Sequence, residues 1–390
     1  MPVDNRFGHQ RYQPRVPQVP WQLVTAPRPS LPGSDEYRQA MSRVGCQYRE
    51  AGVKAVYLVH GTFTGDDALG LLRGLGALFP GTAGALRRMS KNVIDTLAKD
   101  TANYTAEFAA EFERAAQVPV RLFHWSSENH HIGRAHAAVC LIDELVGHGF
   151  DPADRILLWG HSHGGNVFAL MTNLLAADRN TRECFFQACR RFHGKHGGVD
   201  LTTWMRVRDW FAGERPPRRF PQLDLVTFGT PIRYGWDTNG YAKLLHVIYH
   251  RPRPGLPSYQ TGLPRSLDDV LQAADGDYIQ QLGIAGTNIA PNLFAIGTWL
   301  AERNLGRLLH GQLSPRELIA AWKAGVRVPE DGETLLVDYG SSEGHVFRHL
   351  AGHAVYTRLP WLAFHATEIA QTFYGAGGPA SSRSSLYSGK

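Results

Sequence analysis

Short apolar runs alternate along this chain with longer stretches in which apolar residues recur every three or four positions. Runs of about four to eight apolar residues are typical of buried strands, and the wider spacing is typical of amphipathic helices. The runs cover residues 53–59, 118–123, 155–159, 223–228, 244–249 and 334–337. Strands that alternate with helices predict an α/β protein with a mainly parallel sheet and helices on both faces.

The alternation stops at both ends of the chain and at two internal segments. Prolines and arginines in residues 1–35 predict an arm without regular structure, and the Gly/Ser-rich residues 375–390 predict a disordered tail. Residues 184–221 and 252–331 separate consecutive strands by more than one helix, so we expect them to form a cap above the sheet. One domain is therefore expected over residues 36–374.

Residues 284–309, in the second insertion, carry apolar side chains mostly three and four positions apart. This spacing predicts one or two amphipathic helices. A lid over an apolar pocket has this pattern, and so does a helical subdomain that packs on the main domain. Periodicity does not identify the surface that an apolar face covers, so both interpretations stay open.

Composition and targeting signals limit the compartment. The chain has 390 residues and is 43% hydrophobic, which allows a large core, but its apolar stretches are broken before they reach bilayer length. Its first residues lack the basic-then-apolar pattern of a signal peptide. Four cysteines do not make a disulfide framework in a chain of this length. We expect a cytoplasmic protein, with export that uses no leader as an open alternative.

The net charge of +6 is concentrated in residues 190–219, which hold eight basic and three acidic residues. This segment also carries Trp204, Trp210 and Phe211. A charge-rich segment usually faces water, so we expect an arginine-rich solvated segment. Because basic and aromatic side chains occur together, contact with an anionic membrane surface or an acidic partner is the alternative. The chain has no nucleic-acid motif, so we expect no nucleic-acid partner.

Ser162 is the leading catalytic candidate. It stands in Gly160-His161-Ser162-His163-Gly164, directly after the apolar run 155–159 and before a helical pattern. The glycines permit a sharp strand-to-helix turn from which the serine Oγ projects, which is the context of a nucleophile. A serine that only caps the helix explains neither the glycines nor the preceding strand.

A second motif follows the first apolar run of the main domain. His60-Gly61-Thr62-Phe63 places a glycine where the backbone could turn beneath Ser162. Acyl transfer requires hydrogen-bond donors for the oxyanion of the tetrahedral intermediate. The sequence therefore predicts an oxyanion hole formed by the backbone N–H of Thr62, aided by its hydroxyl, and the backbone N–H of His163.

These two motifs, and one that follows, resemble the α/β-hydrolase superfamily and in particular its lipase-like branch. The third motif is Leu225-Val226-Thr227-Phe228-Gly229-Thr230-Pro231. The resemblance covers roughly residues 50–370 and implies the α/β-hydrolase fold, with nucleophile, acid and histidine in that chain order.

The same resemblance implies that the catalytic base follows the last predicted strand. The histidines there are His345, His349, His353 and His365. We favour His353, in Ala351-Gly352-His353-Ala354-Val355-Tyr356, because a Gly-His loop that leads into a helix with an aromatic residue one turn on resembles the histidine loop of the family. His345 is the alternative.

The acid departs from the lipase pattern. Lipases usually carry an aspartate after the strand that here ends near residue 249, but this turn reads His250-Arg251-Pro252-Arg253-Pro254. We expect Asp277, in the long insertion, to return to the histidine. Asp237 and Asp338 are the alternatives, and each of the three has a turn or capping role as its simpler explanation.

One group of residues suggests a metal. Cys184, Cys189, His193 and His196 have a zinc-like order, but the cysteine pair is spaced too widely, so we expect incidental residues of a helix and no metal site.

From these residues and the resemblance we expect a serine hydrolase that cleaves carboxylic esters through an acyl-enzyme on Ser162, without a cofactor. The substrate is expected to be a small-molecule or lipid ester with an apolar acyl chain. A thioesterase or acyltransferase could use the same residues, because a triad fixes the mechanism more than the substrate. A catalytically inactive binding protein on the same fold is the other alternative.

Overall fold

In the part of the chain that the structure describes, seven parallel strands form one sheet in the order β1-β7-β6-β5-β4-β2-β3. A computed structural model describes residues 16–61, 103–190, 201–213, 220–266, 269, 272–284, 296–309, 320, 323–340 and 352–375. The strands are β1 (Trp21–Thr25), β2 (Val53–Val59), β3 (Val120–Phe123), β4 (Arg155–His161), β5 (Gln222–Phe228), β6 (Lys243–Tyr249) and β7 (Glu333–Asp338). Every pair of neighbouring strands is parallel, which confirms the predicted α/β class.

Helices connect the strands and pack on the sheet. They are α1 (Asp35–Glu50), α2 (Ala106–Ala116), α3 (His131–Gly147), α4 (Gly164–Ala176), α5 (Arg179–Cys189), α6 (Leu201–Ala212), α7 (Tyr278–Ile284), α8 (Ile296–Leu308) and α9 (Leu362–Tyr374). Short 3₁₀ turns cover Thr238–Gly240, Val355–Thr357 and Leu359–Trp361. Most strands coincide with the predicted apolar runs to within two residues.

The core has two layers because successive side chains of a strand point to opposite faces of the sheet. Tyr57 and Leu158 belong to the layer beneath α3, α4 and α5. Leu58 and Leu157, one position away, belong to the layer beneath α1, α2 and α9. Central strands that are buried on both faces read as continuous apolar runs, which is why the sequence pattern located them.

The predicted N-terminal arm is partly wrong. Residues 21–25 form β1, which pairs in register with β7 at the edge of the sheet. Thr334 N donates to Pro20 O at 3.0 Å, and Ala26 N donates to Asp338 O at 2.9 Å. A strand at an edge can follow a proline because only one side of it joins the ladder. Residues 1–15 and 376–390 lie outside the described residues, so the disordered tail stays a prediction.

The two insertions supply helices that pack on the main domain. In the second insertion, α8 contacts α3 and α5 and buries Ala301 and Leu305. Ile296 and Trp299, at the start of the same helix, are exposed. The packing of α8 agrees with a helical subdomain, and a lid over a pocket stays a prediction.

In the first insertion, α6 directs its aromatic residues inward. Trp204 is buried, stacks on Phe185 at 5.9 Å between ring centroids, and donates from Nε1 to His136 Nδ1 at 2.8 Å. Phe211 is also buried, and Trp210 is partly buried. Arg206 and Arg208 form ion pairs with Asp143 and Glu183. Trp204 and Phe211 are therefore not available to a lipid surface.

Within the described ranges, no helix is both long enough and apolar enough to cross a membrane.

The hydrogen bonds of β1 generate a prediction about its edge. The ladder alternates, so Val24 has the same backbone orientation as Ala26 and points its N–H at β7, whereas Leu23 points its N–H away. Val24→Pro should therefore lower the free energy of unfolding by about 2 kcal/mol more than Leu23→Pro, because it leaves a carbonyl of β7 unsatisfied. Urea unfolding of both variants measures the difference. Equal midpoints for the two variants would contradict the pairing of β1 with β7.

Candidate active site

Ser162 occupies a strained corner between β4 and α4. Its φ is +53°, in the left-handed region that non-glycine residues seldom adopt. Ser162 N donates to Phe228 O at 2.9 Å, and Ser162 O accepts from the Thr230 hydroxyl at 2.7 Å and from Gly165 N at 3.2 Å. The strain is thus held by the adjacent strand β5 and by the residues that follow it. Such strain on a polar residue is typical of a functional site.

The loop after β2 passes directly over this corner. A Cβ on Gly61 would lie 2.5 Å from Ser162 Cβ and 3.2 Å from Ser162 Oγ, so only glycine fits there. The backbone of the predicted oxyanion loop therefore approaches the serine side chain. Thr62, the predicted donor in that loop, lies outside the described residues.

His353 and Asp277 form a hydrogen-bonded pair. His353 Nδ1 lies 2.7 Å from Asp277 Oδ2, and both side chains are fully buried. A carboxylate only accepts hydrogen bonds, so the pair fixes the proton of the neutral imidazole on Nδ1. The structure thus brings together the predicted base and the favoured acid, although 76 residues separate them.

The insertion after β6 returns to the end of that strand before it reaches Asp277. Gly276 forms an isolated bridge with His250, and Asp277 N donates to Tyr249 O at 3.0 Å. Asp277 consequently stands beside the carboxyl end of β6. The turn that directly follows β6 in the sequence carries no carboxylate. Asp277 reaches the same end of the strand from the insertion instead.

Three groups hold the Asp277 carboxylate. Oδ1 accepts from Gln280 N at 2.8 Å, and Oδ2 accepts from His353 and from the Tyr356 hydroxyl at 3.0 Å. Tyr249 N donates to the same Tyr356 hydroxyl at 2.8 Å. Burial, with the nearby charge of Asp277, raises the pKa of Tyr356 well above its ordinary value. Tyr356 is therefore a neutral phenol that donates to the carboxylate.

Arg327 supports the Asp277 loop from below. This buried side chain donates from Nη1 to Asp277 O at 2.5 Å and to Gln280 Oε1 at 2.7 Å. Burial lowers its pKa, and the charge of Asp277 acts in the opposite direction. Arg327 therefore anchors the loop that carries Asp277.

The sequence did not predict Arg327, Gln280 or the role of Tyr356. The spacing of Tyr356 from His353 was a usable signal for its role. A single arginine between apolar residues gave no signal for the role of Arg327.

His161 ties the histidine loop to the serine corner. Its Nε2 lies 3.1 Å from His353 O, and the two rings are 4.6 Å apart between centroids. Because Ser162 follows His161 directly, the loop of His353 lies against the turn that presents the serine.

His163 follows Ser162 and stands at the start of α4. Its Nδ1 lies 3.0 Å from the amide nitrogen of Asn166. Burial lowers the pKa of His163 well below its ordinary value, and the charges of Arg134 and Arg233 act in the same direction. Its imidazole is therefore neutral. Of the two predicted oxyanion donors, the backbone N–H of His163 is the one that lies within the described residues.

The alternative acids have local roles. Asp237 Oδ1 accepts from Asn239 N at 3.0 Å and caps a 3₁₀ turn. Asp338 Oδ1 accepts from Gly340 N at 2.8 Å and lies 3.5 Å from Arg251 Nε. These are the turn and capping roles that the sequence offered as the simpler explanation.

The alternative histidines fall into two groups. His345 and His349 lie outside the described residues. His365 is buried in α9 with its Nε2 2.6 Å from the Tyr339 hydroxyl, and burial lowers its pKa to about 3. His365 is thus a neutral core histidine.

The described part of the chain contains no group of three His, Cys, Asp or Glu side chains arranged to hold a metal ion. Cys184 is exposed and Cys189 is buried, both in α5, while His193 and His196 lie outside the described residues. Comparisons of the chain with protein-family models, curated proteins and solved structures found no match.

The Tyr356 hydroxyl generates a prediction about stability. Tyr356→Phe should lower the free energy of unfolding by about 1–3 kcal/mol, because it leaves Tyr249 N–H buried without an acceptor. Tyr57→Phe is the matched control, since the buried Tyr57 hydroxyl has no hydrogen-bond partner in the described structure. Urea unfolding measures both. Equal losses in the two variants would show that the Tyr356 hydrogen bonds contribute little.

Proposed function

We propose that this chain is a serine hydrolase of the α/β-hydrolase fold that cleaves carboxylic esters through an acyl-enzyme on Ser162. The observation that carries the proposal is the fully buried pair of His353 and Asp277, whose histidine loop lies against the strained serine corner. Nucleophile, acid and histidine follow one another along the chain in the order that the resemblance implies.

The proposed reaction uses the two nitrogens of His353 for different tasks. Nδ1 donates to Asp277, so Nε2 is the nitrogen that accepts the proton of Ser162 as Oγ attacks the ester carbonyl. The same proton then passes to the leaving alcohol. Water then attacks the acyl-enzyme in the same way and gives its proton to His353. The bond between the acyl carbon and Ser162 Oγ breaks, the acid is released, and the proton passes from His353 to Oγ.

Asp277 orients His353 and stabilises the imidazolium that forms. Its carboxylate also accepts from Gln280 N and from the Tyr356 hydroxyl, which holds it in one orientation. The backbone N–H of His163 is the proposed donor to the oxyanion, with Thr62 as the second. The choice of esters over thioesters or acyl transfer rests on the resemblance to lipases.

Ser162→Ala should abolish hydrolysis of short p-nitrophenyl esters, with a loss on the order of a millionfold in kcat, because the nucleophile is removed. Labelling by a fluorophosphonate should also disappear. Ser126→Ala, at an exposed serine, is the matched control and should keep both signals. If Ser162→Ala kept a tenth of the wild-type turnover, or the wild-type protein resisted the probe, the proposal would fail and a non-catalytic binding protein would be favoured.

Asp277→Asn should lower kcat by roughly ten-thousandfold with little change in KM, because the imidazole loses its orientation and its counter-charge. His353→Ala should be nearly as severe as loss of the serine. Asp338→Asn and Asp237→Asn are the controls and should cost far less. Steady-state kinetics on folded variants, verified by thermal melting, give the comparison. A mild Asp277→Asn beside a severe Asp338→Asn would reassign the acid.

A further inference from the structure

A second group of buried charged side chains lies beside the serine corner. We call it the arginine cluster and define it as Arg134, Arg233, Tyr234, His131 and Glu302. It joins α3, the segment after β5 and α8, and each of its side chains is at least nine-tenths buried. The proposed hydrolysis uses none of these side chains.

Most groups of the arginine cluster are hydrogen-bonded to one another. The Tyr234 hydroxyl accepts from Arg134 Nε at 2.9 Å and lies 2.7 Å from His131 Nδ1. The Glu302 carboxylate accepts from the backbone N–H groups of His131 and Ile132, at 3.0 and 2.8 Å. Its negative charge thus lies at the N-terminus of α3, where the helix dipole favours an anion.

Arg233 is the exception. Its side chain is 5% exposed, and within the described structure neither Nε nor Nη1 has a hydrogen-bond partner, although both atoms are buried. Its backbone N–H donates to Asn166 Oδ1 at 3.0 Å, so the backbone of Arg233 is fixed by a hydrogen bond. Burial lowers the pKa of Arg233 to about 10, with Arg134 acting in the same direction. The guanidinium still carries its charge at neutral pH.

The charges of the cluster do not balance. Arg134 and Arg233 are both cationic, and Glu302 supplies one negative charge. An unpaired buried charge is costly, and proteins normally pair such charges. A guanidinium also presents its donors in a fork that matches a carboxylate or a phosphate. An oxyanion is therefore the kind of partner that the Arg233 guanidinium fits.

The position of Arg233 connects it to the proposed reaction. Asn166, which holds its backbone, also contacts the imidazole of His163 and the carbonyl of Pro231. Together with burial, the charges of Arg134 and Arg233 lower the pKa of His163, the residue that follows the nucleophile. An anion on Arg233 would consequently lie beside the serine corner.

We propose that Arg233 binds an anionic group of the ester substrate, a carboxylate or a phosphate, and that Arg134 strengthens this attraction without a direct contact. The proposal rests on the proposed function and narrows it from neutral esters to anionic ones. The anion could belong to the acyl part, as in a half ester of a dicarboxylic acid, or to the alcohol part, as in a phosphate-bearing glycerol ester.

Matched substrates distinguish these sources. One pair is mono-p-nitrophenyl adipate and p-nitrophenyl hexanoate, which have the same acyl length and differ in the terminal carboxylate. The other is dihexanoyl phosphatidic acid and dihexanoylglycerol, which differ in the phosphate. We expect kcat/KM to favour the anionic member of at least one pair by about a hundredfold, as expected for a desolvated charge contact. No preference in either pair would overturn the proposal.

Arg233→Gln should remove this preference, so that the variant hydrolyses the two members of the same pair with similar kcat/KM. Arg206→Gln is the matched control and should keep the preference, because Arg206 is a half-exposed arginine of α6 that already pairs with Asp143 of α3. Arg233→Lys should keep part of it, because the charge remains without the fork. A preference that survives in Arg233→Gln would overturn the proposal.

Stability separates a ligand-binding arginine from a structural one. Without ligand, Arg233→Gln should melt at the wild-type temperature or above it, because it removes an unpaired buried charge. Inorganic phosphate or adipate should raise the melting temperature of the wild-type protein and not that of Arg233→Gln. A variant that melts several degrees lower than the wild type without ligand would show that Arg233 is structural and would overturn the proposal.

Binding without turnover distinguishes the failure of this proposal from the failure of the proposed function. Ser162→Ala and Ser162→Ala/Arg233→Gln are titrated calorimetrically with the adipate half ester and with dihexanoyl phosphatidic acid. Binding of either one that depends on Arg233, in a protein whose wild type hydrolyses no ester, would refute the hydrolase and keep the anion site. Hydrolysis of neutral esters with no Arg233-dependent binding would keep the hydrolase and refute the anion site.

Discussion

The backbone of Tyr249, at the carboxyl end of β6, fixes the geometry of the candidate site. Its C=O accepts from Asp277 N, and its N–H donates to the Tyr356 hydroxyl, which in turn donates to the Asp277 carboxylate. Two loops that are distant in sequence thus meet on one residue of a buried strand. Close contacts fix both loops, because a Cβ on Gly276 would lie 2.3 Å from Tyr249 O and one on Gly352 would lie 2.9 Å from its ring.

This anchoring explains why the acid can come from an insertion. A carboxylate buried with a histidine needs donors for its remaining lone pairs, since a partly satisfied buried charge is costly. Gln280 N and Tyr356 supply them, and Arg327 fixes the loop through Asp277 O. The position in space is set by the end of β6, so the length of chain between Tyr249 and Asp277 matters little.

The sequence predicted those parts of the fold that depend on local pattern. Strands buried on both faces appear as apolar runs, and the glycine spacing around Ser162 marked the corner that the structure shows at φ +53°.

The parts that the sequence missed depend on partners that are distant along the chain. β1 was missed because prolines surround its five residues, and because its strand conformation depends on β7, a partner over 300 residues away. Asp277 was favoured because the lipase motif lacks its aspartate and because Asp277 lies in the long insertion, but only the folded loop brings it to His353. The role of Arg327 and the unpaired guanidinium of Arg233 depend entirely on tertiary contacts, which leave no periodic signal.

The two sides of the serine corner differ in how their charges are balanced. On one side the Asp277 carboxylate is matched to His353 and to two further donors, so that side is electrostatically complete. On the other side Glu302 is the carboxylate that the described part of the arginine cluster contains beside Arg134 and Arg233. The charges of the two arginines act on His163, the residue whose backbone N–H is proposed to stabilise the oxyanion. This excess positive charge favours a developing oxyanion but opposes a further cation nearby. The proposed reaction forms such a cation, the imidazolium of His353. An anionic substrate group on Arg233 would reduce that opposition at the moment of reaction, because it brings the compensating charge with it. The charge imbalance beside Ser162 is thus the physical basis of the proposed preference for anionic esters, both in binding and in the step that transfers the serine proton.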